Sequence, residues 1–194
     1  MPQKTKVAVL ISGRGSNMEA LVSAAQAEDC PFEIALVLAN RPDAGGLVTA
    51  QAAGIEALCV DQVPFGRDRA AHEAAIDAAL RERGVQLIAL AGYMRILTPF
   101  LVDAWEGRML NIHPSLLPKF PGLHTHARAI AAGETEAGCT VHLVTAGVDE
   151  GPMLGQARVP VRPGDDEHAL SLRVLEQEHR LYPETLAAFC RDLG

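Results

Sequence analysis

The strongest constraint on the fold is a set of short, almost uninterrupted apolar runs in the first half of the chain. They are Val7–Ile11, Ile34–Ala39 and Gln86–Ala91. A strand that is exposed on one face alternates apolar and polar residues, whereas a strand that is covered on both faces does not. The runs therefore predict a central, mostly parallel sheet that is flanked by helices.

Segments with apolar and charged residues at helical spacing alternate with these runs. They cover Asn17–Ala27, Gly45–Ala53 and Arg67–Arg83, and glycines at 54 and 84 follow the second and third of them. This alternation predicts a Rossmann-like α/β fold over roughly the first half of the chain. In such a fold, ligands bind beyond the carboxyl ends of the parallel strands.

The second half of the chain continues the pattern. We predict three more strands and a short helix, at Arg108–Ile112, Cys139–Val144, Met153–Val161 and near His126–Ala132. A long amphipathic helix at about Asp165–Arg191 closes the chain, and Tyr182-Pro183 is expected to kink or restart it. A chain of 194 residues fits one globular domain.

Charge and cysteine usage narrow the functional class. The chain has 17 Lys and Arg against 24 Asp and Glu, a net charge of −7, so it lacks the basic excess that nucleic-acid binding requires. Four widely spaced cysteines without a C-x-x-C pair are typical of reduced thiols. The residues before Val7 are polar and the apolar run that follows is short, so neither a signal peptide nor a membrane span is predicted. We expect a cytoplasmic protein.

A glycine-rich turn, Ser12-Gly13-Arg14-Gly15-Ser16-Asn17, links the first predicted strand to the first predicted helix. Glycines allow close approach of an anion, and the N–H groups at the start of a helix attract it, so the turn predicts a phosphate site. Met18 replaces the third glycine of the dinucleotide fingerprint, and Asn40-Arg41 replaces its acidic residue. A mononucleotide phosphate therefore fits better than NAD. The alternative is that the glycines only shape a turn that Ser16 or Asn17 caps.

A second candidate site combines an amide, an imidazole and a carboxylate. Asn111 and His113 are two residues apart, so on an extended strand their side chains leave the same face. The Pro-rich turn His113–Pro121 follows, and Asp149 lies in a later polar turn. This set has no nucleophile and suits acyl transfer by direct attack, with Asn111 and a protonated His113 at the oxyanion and Asp149 relaying protons.

Two other readings of the same residues remain open. Asn, His and Asp beside prolines and glycines are also common turn residues. The chain also has four histidines in this region that a metal could use: His113, His124, His126 and His142. Because no cysteine or carboxylate set has metal-ligand spacing, and no histidine pair has helical i, i+4 spacing, we expect no metal.

Four motifs in order resemble the folate-dependent phosphoribosylglycinamide formyltransferases. They are Ser12–Asn17, Leu90-Ala91-Gly92-Tyr93-Met94-Arg95-Ile96-Leu97, Leu110-Asn111-Ile112-His113-Pro114-Ser115-Leu116-Leu117-Pro118-Lys119-Phe120-Pro121-Gly122 and Val148-Asp149-Glu150-Gly151-Pro152. The resemblance covers essentially the whole chain. It implies formyl transfer from 10-formyltetrahydrofolate to the amine of glycinamide ribonucleotide, in purine biosynthesis.

The resemblance also implies a role for individual residues. Asn111, His113 and Asp149 would form the catalytic centre. Gly15, Ser16 and Asn17 would hold the nucleotide phosphate, and Glu178 would contact the glycinamide or ribose end. Arg69, Met94, Arg95, Ile96, Leu97 and Asn111 would face the folate, with Arg67 as the alternative to Arg69. His124, His126 and His142 would support the Pro-rich loop and His113.

The family likeness implies a single domain over residues 1–194, with a phosphate or nucleotide half at about 1–105 and a catalytic and folate half at about 106–194. The protein would be a monomer or a homodimer, without nucleic-acid or membrane partners. A formyltetrahydrofolate hydrolase is the nearest alternative, and the phosphate loop disfavours it. Methionyl-tRNA formyltransferases have an additional basic domain. A non-catalytic binder of phosphorylated metabolites is the third alternative.

Overall fold

The structure is a computed structural model that describes residues 3–193. Met1 and Pro2, in the polar amino terminus, and Gly194, at the end of the predicted domain, lie outside the described residues. Within residues 3–193, seven strands form one sheet: β1 (Thr5–Ile11), β2 (Phe32–Ala39), β3 (Ala57–Cys59), β4 (Leu87–Leu90), β5 (Met109–His113), β6 (Glu136–Leu143) and β7 (Met153–Pro160). The helices are α1 (Ser16–Ala25), α2 (Gly45–Ala52), α3 (Arg69–Glu82), α4 (Pro99–Ala104), α5 (Thr125–Ala131) and α6 (Glu167–Leu193).

The sheet is parallel except at one edge. Its order is β3-β2-β1-β4-β5-β6-β7, and only the β5–β6 and β6–β7 pairs among the described strands are antiparallel. Alternate residues of β1 face opposite cores: Val7 and Val9 pack with residues of α1 and α6, whereas Ala8 and Leu10 pack with residues of α3. All four are fully buried. The prediction of a mostly parallel sheet with helices on both faces is confirmed.

The strand order reverses beside β1, and this positions the ligand site. The chain moves outward from β1 to β2 and β3, then crosses back to place β4 on the other side of β1. Loops that follow strands at such a switch point open a crevice at the carboxyl edge of the sheet. The turn after β1 and the segment after β4 therefore lie side by side, and the Ser12 N–H donates to the Gly92 carbonyl at 3.2 Å.

Three local predictions differ from the structure. Strand β3 and helix α4 are not predicted from the sequence, because they have only three and six residues and so give little periodic signal. Helix α6 continues through Pro183 without restarting. Buried residues on both sides of the proline, including Tyr182 and Leu186, anchor the helix to the core and offset the lost hydrogen bond.

The structure also shows the state of the cysteines and the character of the helices. The four cysteines are free thiols, as predicted, and all except Cys59 are buried. No helix in the described part of the chain combines the length and the apolar character that crossing a bilayer requires.

Tyr182 joins α6 to the centre of the sheet. Its hydroxyl is fully buried and lies 2.9 Å from the Leu90 carbonyl oxygen on β4 and 3.2 Å from the Leu110 carbonyl oxygen on β5. One O–H group thus reaches two adjacent strands, at the last residue of β4 and the second residue of β5. This contact fixes the helix relative to the edge of the sheet that carries the candidate site.

Replacing Tyr182 by phenylalanine should lower the free energy of unfolding by about 1–2 kcal/mol, because the substitution removes the buried hydrogen bonds of the hydroxyl to the Leu90 and Leu110 carbonyls. Tyr93→Phe is the matched control, since the Tyr93 hydroxyl is buried without a hydrogen-bond partner among residues 3–193. Urea unfolding of both variants tests the prediction. Equal losses of stability in the two variants would contradict it.

Candidate functional site

The glycine-rich turn leads from β1 into α1. Gly15 has a φ of 78°, in the left-handed region that favours glycine, and occupies the N-cap position of α1. Because glycine has no side chain, the first N–H groups of the helix are left to face solvent or a ligand. Gly46, at the start of α2, donates its N–H to the Gly13 carbonyl at 3.1 Å. A Cβ atom at Gly46 would come within 2.9 Å of the Arg14 carbonyl oxygen, so α2 closely supports the turn.

The first turn of α1 contributes a buried polar pair with α6. The Asn17 side-chain amide donates to the Glu178 carboxylate at 2.6 Å, although the two residues are 161 positions apart. The other Asn17 side-chain atom, Oδ1, is buried and has no partner within residues 3–193. Burial raises the pKa of Glu178, and the hydrogen bond from Asn17 only partly opposes this effect. The pair forms a polar floor beside the glycine-rich turn.

Asn111, His113 and Asp149 come together at the end of β5. His113 Nδ1 lies 3.3 Å from Asp149 Oδ2, and His113 Nε2 lies 3.0 Å from the Phe120 carbonyl oxygen. The Asp149 carboxylate also accepts the Gly122 N–H at 2.9 Å. Asn111 is connected to Asp149 through His142 rather than directly. The carboxylate therefore joins the Pro-rich loop to the turn after β6.

His142 is the residue at this site that the sequence analysis placed only in a supporting role. Its Nε2 atom lies 3.2 Å from Asn111 Nδ2 and 3.5 Å from Asp149 Oδ1, so the imidazole bridges the amide and the carboxylate. Its Nδ1 atom faces the Leu143 carbonyl oxygen at 2.9 Å. The antiparallel pairing of β5 with β6 puts Asn111 opposite His142. A prediction of that register would have identified the contact.

Burial and neighbouring polar groups together set the protonation of His113 and Asp149. Burial lowers the pKa of His113, even though the Phe120 carbonyl and the Asp149 carboxylate both favour the charged form. The imidazole is therefore mainly neutral at pH 7 in the free protein. The protonated His113 expected at the oxyanion stays a prediction about the reaction itself. Burial alone would raise the pKa of Asp149. The contacts of the Asp149 carboxylate with His142, the Gly122 N–H and His113 outweigh this effect and lower the pKa. Asp149 is thus ionised at neutral pH.

A third part of the site follows β4. The segment Met94–Leu97, which we call the β4 segment, presents the Met94 and Ile96 side chains to solvent, with exposures of 70% and 69%. Arg69, the first residue of α3, donates from Nη1 to the Ile96 carbonyl at 3.2 Å. Arg69 thus reaches the β4 segment with its guanidinium. The exposed apolar side chains and the adjacent backbone offer a surface for a planar, hydrogen-bonding ligand.

The three parts share one edge of the sheet. Strands β1, β4 and β5 are parallel neighbours, so their carboxyl ends lie side by side. Two strand spacings of about 4.8 Å put the end of β5 on the order of 10 Å from the end of β1. A ligand of mononucleotide size can span this distance, with its anion at the glycine-rich turn and its other end near Asn111.

Two further histidines of the sequence analysis, His124 and His126, follow the Pro-rich loop. His124 is exposed and precedes α5 with a φ of 57°, and His126 is half-buried in the first turn of α5. Burial lowers the pKa of His126. Across residues 3–193, no three His, Cys, Asp or Glu side chains are grouped so as to hold a metal ion.

Comparisons with known proteins place these features in context. Residues 5–186 match the sequence profile of the formyl transferases. The chain is 46% identical over 187 residues to the trifunctional purine biosynthetic protein adenosine-3 of Drosophila melanogaster. The aligned region covers 95% of this chain and 14% of that protein. The chain is 44% identical over 188 residues to the phosphoribosylglycinamide formyltransferase of Haemophilus influenzae, covering 95% of this chain and 86% of that one. The solved structure of phosphoribosylglycinamide formyltransferase from Brucella melitensis has a TM-score of 0.93 at 54% identity, covering 97% and 96% of the two chains.

The charge of Asp149 should be measurable at His113. Asp149→Asn removes the negative charge that favours the imidazolium, so the His113 pKa should fall further below its ordinary value. An NMR titration of the imidazole resonances measures this change. Asp103→Asn, at an exposed position on α4, is the control and should leave the His113 pKa unchanged. A higher His113 pKa in Asp149→Asn would contradict the electrostatic description.

Proposed function

Because this chain belongs to the formyl transferase family, we propose that it transfers the formyl group of 10-formyltetrahydrofolate to the amine of glycinamide ribonucleotide, in purine biosynthesis. The observation that carries the proposal is the meeting of His113, Asp149 and the His142–Asn111 pair two strands from the glycine-rich turn. The chain spans 14% of the length of the trifunctional Drosophila protein and 86% of the length of the bacterial enzyme from Haemophilus influenzae. The similarity to both supports the choice of substrates.

In this proposal the nucleotide binds along the crevice from β1 to β5. The N–H groups of Gly15, Ser16 and Asn17 hold its phosphate, where the positive end of the α1 dipole favours an anion. Glu178, held by Asn17 at 2.6 Å, faces the glycinamide or ribose end. Since the buried Asn17 Oδ1 has no partner within the described residues, it is available to a donor on the nucleotide.

The folate binds against the β4 segment. Backbone groups of Met94, Arg95, Ile96 and Leu97 contact the pterin, and Asn111 contacts the formyl group. Arg69 supports the Ile96 carbonyl at 3.2 Å and extends toward the glutamate tail. The turn that carries Asp149 covers the reacting end. The division into a nucleotide half at about 1–105 and a catalytic and folate half at about 106–194 is part of this proposal, with Glu178 and the β4 segment crossing it.

The reaction requires one new bond and one broken bond. The neutral amine attacks the formyl carbon, and the electrons of the carbonyl π bond move to oxygen. The intermediate then breaks its bond to the folate nitrogen, which takes up a proton as it leaves. The net proton transfer is from the amine to the folate, and the ionised Asp149 carboxylate accepts and returns that proton, directly or through one water.

Asn111 stabilises the charge on the formyl oxygen by a hydrogen bond, and His113, whose ring nitrogens face Asp149 and the Phe120 carbonyl, stabilises it through its charge. The Asn111 amide is a permanent donor, and a contact of this type is worth about 3–4 kcal/mol of the barrier. His113 is mainly neutral before the reaction, but negative charge on the neighbouring oxygen favours its protonated form. Burial of the imidazole, which is 6% exposed, makes that electrostatic response stronger than it would be in water. A cytoplasmic monomer or homodimer, with no metal, completes the proposal.

An amine-dependence assay tests the proposed function. Release of tetrahydrofolate is measured with and without glycinamide ribonucleotide. Release that requires the ribonucleotide, accompanied by a formylated product, supports the transferase. Equal release of tetrahydrofolate without the ribonucleotide would indicate a hydrolase that uses water as the acceptor. No release of tetrahydrofolate under either condition would indicate a non-catalytic binding protein.

Asp149→Asn should lower kcat by well over tenfold, because general acid–base groups typically contribute roughly 10²–10⁴ to the rate. The nucleotide KM should change little, since the glycine-rich turn is intact. Glu150→Gln is the control from the same turn, with an exposed carboxylate. If steady-state kinetics gives a kcat for Asp149→Asn within threefold of the parent value, Asp149 has no part in the mechanism.

Gly15→Val should raise the KM for the nucleotide more than the KM for the folate. Valine strains the backbone at a φ of 78°, and its Cβ would come within 3.2 Å of Met18. Gly13→Val is a matched control with a smaller expected effect, because no atom lies within 4 Å of a Cβ at that position. Kinetics with each substrate varied in turn gives both constants. Equal increases for the two substrates in Gly15→Val would count against separate subsites.

A further inference from the structure

Four hydrogen bonds connect the first residue of the glycine-rich turn to the β4 segment. The Met94 N–H donates to Ser12 Oγ at 2.8 Å, and the Ser12 hydroxyl donates to Asn40 Oδ1 at 2.7 Å. The Asn40 amide donates to Gln62 Oε1 at 2.8 Å. Arg95 Nη1 donates to the same Gln62 oxygen at 2.7 Å. We call Ser12, Asn40, Gln62 and their contacts with Met94 and Arg95 the strand-end network.

The network begins and ends on adjacent residues of the β4 segment. It starts at the Met94 backbone, crosses the ends of β1 and β2, and returns from Gln62, which follows β3, to the Arg95 side chain. The segment is therefore held at its backbone and at a side chain by one closed path. Because four strand ends contribute, the position of the segment is tied to the sheet itself.

Burial makes the inner part of this path rigid. Asn40 is 2% exposed and Ser12 is 7% exposed, so water does not readily replace their hydrogen bonds. Gln62 is only half-buried, and its oxygen accepts from both neighbours. It is the most accessible of the three linking side chains. Its replacement should open the network with little damage to the core.

The start of the β4 segment depends on these hydrogen bonds because Met94 is not anchored by burial, whereas Leu97 at its end packs against the core. Met94 and Ile96 point into solvent. The end of the segment is fixed separately, since the buried Glu73 carboxylate accepts the Thr98 N–H at 2.7 Å and the Thr98 hydroxyl at 2.6 Å. Opening the strand-end network would free the start of the segment and leave this far end attached.

We propose that Gln62 is a positioning residue for folate binding: by closing the strand-end network it holds the Met94 and Arg95 backbone in the conformation that meets the folate. This inference rests on the proposed function, which places the folate against the β4 segment. Gln62 itself contacts neither substrate. Its effect reaches the ligand through Arg95 on one side and through Asn40 and Ser12 on the other.

The test compares Gln62→Leu, which cannot accept a hydrogen bond, with Gln62→Glu, which keeps an acceptor oxygen for Asn40 and Arg95. Gln51→Leu, at an exposed position on α2, is the matched control. Hydrogen exchange of the ligand-free proteins reports the order of residues 94–97. Calorimetric titration with tetrahydrofolate reports the affinity, and steady-state kinetics reports kcat and both KM values.

In Gln62→Leu, exchange of the Met94 amide, which donates to Ser12 Oγ at 2.8 Å, should be about tenfold faster, while exchange in β1 and β4 stays unchanged. The Kd for tetrahydrofolate and the KM for 10-formyltetrahydrofolate should each rise about fivefold or more, with kcat and the nucleotide KM within about twofold of the parent. Gln62→Glu should restore the amide exchange rate and the tetrahydrofolate affinity of the parent chain. Gln51→Leu should behave as the parent chain.

Unchanged exchange in Gln62→Leu would overturn the proposal, as would faster exchange with unchanged folate affinity. Failure of Gln62→Glu to restore affinity would also overturn it, because the hydrogen bonds would then not be the cause. A parent chain that binds tetrahydrofolate but transfers no formyl group would contradict the proposed function and leave the positioning result standing. A parent chain that binds no tetrahydrofolate would overturn both.

Discussion

The Asp149 carboxylate connects the parts of the chain that must meet for the proposed chemistry. One oxygen contacts His113 on β5 and the Gly122 N–H in the Pro-rich loop, and the other faces His142 on β6. Asp149 has a φ of 55°, a left-handed conformation that is uncommon for a residue other than glycine. These contacts hold the turn after β6 over the end of β5. Without them the imidazole and the carboxylate would not lie 3.3 Å apart.

The sheet determines where this cluster lies relative to the anion site. Parallel β1, β4 and β5 bring the glycine-rich turn, the β4 segment and Asn111 to one edge, and the reversal of strand order beside β1 opens a crevice between them. Helix α6 fixes the same edge from below through Tyr182 and contributes Glu178 to it, one helical turn away. The buried face of one helix thus supports both ends of the proposed nucleotide site.

The sequence permits a reliable prediction of features that depend on local pattern. Uninterrupted apolar runs such as Val7–Ile11 identify buried parallel strands, and the two-residue spacing of Asn111 and His113 places both on one face. Features that depend on register or on long-range packing are not accessible in this way. The position of His142 opposite Asn111 follows from antiparallel pairing, and the link from Ser12 through Asn40 to Gln62 follows from the order of four strands. The neutral state of His113 follows from burial, which composition does not reveal.

The central claim is that one crevice holds the nucleotide phosphate at the start of α1 and the reacting amine beside Asn111, His113 and Asp149. A crystal structure of the protein with glycinamide ribonucleotide and tetrahydrofolate tests it most directly. The account predicts the phosphate on the N–H groups of Gly15, Ser16 and Asn17, and the amine within about one water molecule of Asp149. A phosphate bound elsewhere, or an amine separated from Asn111 and His113 by protein, would contradict it.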